Sequence, residues 1–200
     1  MSRVSVAVFL VAVFCGCAGP RTEGDNATAA PGTNATTERS FASGGAVDMQ
    51  LDRGTYAIGA AASDHIRVVL TGNAGNTSVD LTTDGTHAKL VVKDTPSNAF
   101  TATIEVPKAT DLVIRLSAGD LVVADVTGNK DVQAIAGDVD IVVDDPNDYS
   151  SVDASVKAGD LRASPFGGSK SGLLQRFTWS GSGKYTLRAS LGAGDLTLRK

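Results

Sequence analysis

The sequence predicts an all-β chain, a single-domain β-solenoid whose short strands turn at glycine-aspartate corners, and three observations carry that expectation. The first is composition: 22 Val, 22 Gly, 19 Thr and 19 Asp stand against 3 Glu, 3 Gln and 2 Met. Residues suited to pleated strands and turns abound, and unbranched helix formers are scarce. The second is self-similarity: Ala118-Gly119-Asp120-Leu121, Ala136-Gly137-Asp138-Val139, Ala158-Gly159-Asp160-Leu161 and Ala193-Gly194-Asp195-Leu196 are four copies of one tetrapeptide. The third is a fixed apolar register around each copy. Leu112, Ile114, Leu116 and Ala118 precede Gly119 with period two, and Leu121 and Val123 follow it in shifted phase. An antiparallel β-sandwich is the alternative, because Thr83-Asp84-Gly85-Thr86 between Val79-Leu81 and Leu90-Val92 reads as a hairpin with a two-residue turn.

The elements follow in chain order. Arg3 supplies a positive charge, Val4 to Phe14 is an eleven-residue run that is apolar but for Ser5, and Cys15-Gly16-Cys17-Ala18-Gly19 is a small-residue cluster. That is the pattern of a secretory signal over residues 1–16. Eleven helical residues reach about 16 Å, half of a bilayer core, so the run is too short to span. Cys15 and Cys17 are the only cysteines, and none follows in the exported part to build a disulfide framework. Phe14-Cys15-Gly16-Cys17 resembles the bacterial lipobox, which implies lipidation of Cys17 and membrane anchoring, with Ala18 after it pointing to the outer membrane of a Gram-negative cell. Phe14 and Cys15 depart from the usual lipobox residues. Residues 17–40 hold no aliphatic side chain larger than alanine before Ser40 and read as a flexible tether.

Residues 41–200 form the β domain. A degenerate repeat surrounds Gly54, with Val47, Met49 and Leu51 before it and Tyr56 and Ile58 after. From Ser63 to Val106 the corners are absent, and Ile66-Val68-Leu70, Val79-Leu81, Leu90-Val92 and Ile104-Val106 read simply as strands. In the full copies, glycine gives the positive φ that a bend needs, and aspartate can hydrogen-bond nearby backbone N–H groups. Lys130 alone breaks the second copy, where the other copies carry Leu or Val. Ile114, Ala134, Ala154 and Ala189 are expected to share one inward ladder with little spare room. Between Gly159 and Gly194 an insertion opens at Pro165 and carries Phe166, Phe177 and Trp179. These aromatics form either a cap over the last coil or a binding platform, and the cap is favoured because an open coil end needs cover.

The corners resemble those of the putative-adhesin, or toast-rack, family of bacterial domains. The likeness extends to Phe41-Ala42-Ser43-Gly44-Gly45-Ala46-Val47, to Ile104-Glu105-Val106-Pro107 and to Gly181-Ser182-Gly183-Lys184-Tyr185. It implies a β-solenoid of the cell envelope with no catalytic residues defined.

Chemistry is sparse in the rest of the sequence. A net charge of −4 with scattered cations offers no basic stripe for nucleic acid. His65 and His87 lack ligand-spaced partners, which argues against zinc, and no G-x-S-x-G is present for a serine nucleophile. The expectation is a chain without cofactor. Calcium is the one cation to consider, on the column that Asp120, Asp138, Asp160 and Asp195 would form; its bland counterpart is each aspartate capping its own turn. The functional expectation is therefore a non-catalytic, lipid-anchored envelope protein that presents a surface to a protein or glycan. The alternatives are a carbohydrate-active enzyme using aspartate pairs on the flank of the stack, and an envelope-stress signalling component.

Overall fold

The computed structural model describes residues 27–28, 35–97 and 100–200. The signal, Cys15 and Cys17 lie outside the described residues. The strands are β1 (Ala27–Thr28), β2 (Thr36–Ser40), β3 (Ala46–Leu51), β4 (Gly54–Ala61), β5 (His65–Gly72), β6 (Ser78–Asp84), β7 (His87–Lys93), β8 (Phe100–Pro107), β9 (Asp111–Val123), β10 (Lys130–Ala136), β11 (Val139–Val142), β12 (Tyr149–Ala163), β13 (Gly168–Ser180), β14 (Tyr185–Ala193) and β15 (Leu196–Arg199). Two single-turn 3₁₀ segments, Pro146–Asp148 and Ser164–Phe166, join them, and the described residues contain no α-helix.

Six parallel layers make the core, and five of them bend at a glycine, Gly54, Gly119, Gly137, Gly159 or Gly194. Before the corner the order is β7, β3, β9, β10, β14, β12, and after it β8, β4, β9, β11, β15, β12, with β9 and β12 running unbroken through the bend. Antiparallel strands close both ends: β5 on β8 and β6 on β7 at one, β13 along the whole of β12 at the other. The molecule thus combines parallel stacked layers with the antiparallel pairing of the sandwich alternative. The Asp84↔His87 pair closes the hairpin around Gly85-Thr86. Thr36–Ser40, read as tether from its composition, is strand β2 paired with β5, so the folded unit begins before residue 41.

The stack departs from the chain order that successive winding would give. The third full repeat does not follow the second; β14 and β15 insert between β10/β11 and β12. The reason lies in the insertion after Ala163. Gly167, left-handed at φ 77°, turns the chain back, and β13 then occupies the outer edge of β12. The last repeat must therefore enter on the inner side. A second correction concerns register. Ile114 stacks with Val132, which pairs with Ala189, which pairs with Ala154; Ala134 lies two residues on, between Leu116 and Leu191.

The corner glycines answer two demands. Gly119, Gly137, Gly159 and Gly194 have φ of 112°, 118°, 139° and 125°. A Cβ on Gly137 would also collide with the Gly119 carbonyl oxygen, one on Gly194 with that of Gly137, and one on Gly159 with that of Gly194. Layers can therefore approach at normal strand spacing only if every corner lacks a side chain. Inside, the two faces meet through buried ladders such as Tyr56, Leu121, Val139, Leu196 and Leu161.

Candidate functional site: a groove across the parallel strands

Because side chains alternate, each layer that buries Leu, Ile or Val inward also presents a polar residue outward. On the face before the corners the outward positions align as Val91, Gln50, Arg115, Gln133, Ser190 and Ser155 across β7, β3, β9, β10, β14 and β12. Beside this ladder, towards the corners, an open groove of about 740 Å³ crosses the strands. Lys93, Ser117, Ile135, Gly192 and Lys157 line it together with Gln50, Arg115, Gln133 and Ser190. Gly192 approaches the Ile135 carbonyl so closely that a Cβ there would collide with it, and Ile135 itself stands 71% exposed in the groove.

Charge is uneven around the groove. Arg115 lies 3.7 Å from Asp131 at one border. Lys93 and Lys157 line the groove without an ion-pair partner among the described residues, and Arg188 in the adjoining depression is likewise unpaired. Asp52 is the one carboxylate among the lining residues. Sequence reading did not single out these positions, because each is an ordinary polar residue at an outward position. Only the spatial order, in which residues 93 and 157 fall on one row across the sheet and residue 115 on the row two residues earlier along the strands, brings them together.

The corner aspartates behave differently. They do form a column, in the order Asp120, Asp138, Asp195, Asp160. Asp195 N–H donates to Asp138 Oδ1 at 3.0 Å, and Asp160 N–H donates to Asp195 Oδ1 at 3.2 Å. These carboxylates therefore cap the neighbouring layer rather than their own turn. Arg162 bridges Asp160 at 2.6 Å and Asp195 at 3.3 Å, which places a cation at the point where two carboxylates are stacked. Among the described residues, no group of three or more His, Cys, Asp or Glu is arranged to hold a metal ion.

The aromatics of the insertion pack against the end of the stack. Phe166 lies 4.9 Å from Trp179 and 6.0 Å from Tyr149, centroid to centroid, and Trp179 and Phe177 pair with Val152 and Ala154 on the inward side of β12. They are half-buried, an arrangement that fits the cap. The exposed apolar pair of the insertion is instead Leu173 and Leu174 at its bend. Lys130, the residue that breaks the repeat, is buried in an inward ladder, where its ammonium donates to Tyr149 Oη at 3.0 Å. Burial pushes Lys130 down to about 8 and Tyr149 up to about 12, while Asp144 and Asp148 act to raise both. His65 and His87 begin different strands, β5 and β7, beside Ser63 and Thr86.

Layers of this kind occur in a solved structure. The chain is similar to the crystal structure of a putative cell adhesion protein from Clostridium sporogenes, with a TM-score of 0.51 over 82% of this chain and 98% of that one. The two share a fold. Identity is 11%, so the likeness does not extend to individual side chains. No family model matches the chain, and no curated protein matches it in sequence. No helix among the described residues is long and apolar enough to cross a membrane.

Proposed function

We propose that the protein is a non-catalytic component of the cell envelope, anchored through lipid on Cys17, which uses its parallel β stack as a solenoid-like surface for a protein or glycan partner. The observation that carries this reading is the groove, where amide, hydroxyl and ammonium groups stand in two neighbouring rows across six layers. The shared fold with a putative cell adhesion protein supports a surface-exposed setting. The position of the tether supports it too. β2, the last part of the segment read as tether, and β13 lie eight strand spacings apart, roughly 40 Å at 4.7–4.9 Å each, so that segment enters the stack at the end opposite the cap.

A non-catalytic role fits the aspartates. Asp138, Asp195 and Asp160 of the column are engaged by backbone N–H groups or Arg162, and the groove is lined by one carboxylate where acid-base cleavage of a glycan needs a pair. The role needs no cofactor. Beads coated with the full chain are expected to adhere to surfaces bearing envelope polysaccharide or protein, and Gln133→Trp, which fills the groove, to abolish adhesion. Equal adhesion by both would place the binding face elsewhere. New reducing or unsaturated sugar ends in the same assay would establish an enzyme instead. Metabolic palmitate labelling tests the anchor: wild type labels, Cys17→Ser does not and becomes soluble, and equal labelling of the two would remove the anchor.

A further inference from the structure

We propose that the groove takes an acidic polysaccharide, a sugar polymer bearing carboxylates, laid across the strands. This rests on the groove being the binding face and specifies the chemical class of its ligand. The floor of the groove is a continuous parallel sheet whose backbone N–H and C=O groups are engaged between layers, so a peptide cannot add to it as a further strand. Recognition must come from side chains, and these recur at the strand spacing of 4.7–4.9 Å. Gln50, Gln133, Ser117 and Ser190 offer paired donors and acceptors along that direction, suited to the vicinal hydroxyls of successive sugar rings.

The cations set the charge of the ligand. Lys93 belongs to the first parallel layer, Arg115 to the third and Lys157 to the sixth, so they lie about 10 Å and about 14 Å apart along the groove at that spacing. That matches a polymer with an anion on every second or third sugar rather than a compact anion bound at one point. The cations also stand out against the rest of the molecule, whose net charge is −4. Within the groove three cations meet one carboxylate, Asp52, and only Arg115 is ion-paired, to Asp131. The groove contains no aromatic ring for sugar stacking, so charge and hydrogen bonding must supply the affinity, and binding must weaken as salt rises.

The test uses the full chain, polygalacturonate, and the same polymer fully methyl-esterified, which keeps the backbone and removes the charge. Polygalacturonate is expected to bind at least tenfold more tightly than its ester, and to lose at least tenfold in affinity on Lys93→Gln/Arg115→Gln/Lys157→Gln or on raising salt from 50 to 500 mM. Lys170→Gln/Lys184→Gln, which removes two lysines outside the groove, is expected to change nothing. Equal loss in that control would reveal binding to any cation and overturn the proposal. Binding of acid and ester alike, blocked by Gln133→Trp, would overturn the acidic class while leaving the groove as the binding face. Absence of binding to either polymer overturns the proposal, and if Gln133→Trp also leaves bead adhesion intact, the groove reading falls with it.

Discussion

Two polar regions of this molecule are built on the same repeat and do opposite things. At the corners, Asp138 and Asp195 recur because each layer needs an acceptor for the N–H of the next, and Arg162 sits between the last two carboxylates. In the groove, a few residues away on the same strands, Lys93, Lys157, Gln133 and Ser190 recur in space but not in sequence, and no packing or cap accounts for them. Regularity in sequence thus marks what the fold requires. Polar groups aligned only by the fold mark what it leaves over for a ligand.

The strongest way to break that contrast is at a corner glycine. Gly137→Val places a side chain against the Gly119 carbonyl at φ 118° and is expected to destabilise by ~4 kcal/mol or more, read from chemical denaturation. Gly85→Ala, at φ 57° with open space around it, should lose only ~1 kcal/mol. Ala154→Leu comes next, at ~1–3 kcal/mol, because Ala154 is fully buried against Ala189; Asp153→Leu, one residue away and outward, should lose well under ~1 kcal/mol. Comparable losses for those two would mean the inward register is misassigned.

Lys130 sharpens the comparison from inside, as a polar group that breaks the repeat and is fully enclosed. With its folded value near 8 and an ordinary unfolded value of ~10.4, the unfolded chain holds more protons between those limits, so stability should rise with pH from 8 to about 10. Above about 10 the order reverses, because the Tyr149 phenol, pushed up to about 12, keeps a proton that the unfolded chain releases. Thermal melts should therefore peak near pH 10. Lys130→Met should remove the rise, keep the fall, and leave the protein as stable or up to ~3 kcal/mol more stable at pH 7. A wild-type profile flat from pH 7 to 10 would contradict the burial of a lysine that ionises. The smallest effect belongs to Arg162→Gln, expected to lose under ~1 kcal/mol, and less at high salt, because its ion pairs are half-exposed.

Much of this architecture was legible. Period-two alternation and the Ala-Gly-Asp corners located the layers, because a side chain at any of those glycines would meet a neighbouring backbone. The order of the layers was not legible. Nothing within repeats three and four says which lies inside, and that is decided by β13 taking the outer edge of β12. Thr36–Ser40 was hidden because a strand covering the end of a stack needs few large side chains. The groove was invisible for a related reason: residues 93, 115 and 157 share no motif, and their nearness on two neighbouring rows arises only from inter-strand register. The one sequence signal left unused was Lys130, whose mismatch with its own repeat marked a buried polar pair.

The central claim is that the groove binds and the corner column holds the fold, and one titration tests it most directly. Labelled polygalacturonate is titrated with the wild type, with Lys93→Gln/Lys157→Gln and with Asp138→Ala/Asp195→Ala, each sample being melted afterwards. The groove variant is expected to lose at least tenfold in affinity while melting with the wild type, and the column variant to bind as the wild type while melting several degrees lower. Affinity lost by the column variant and kept by the groove variant would contradict the account.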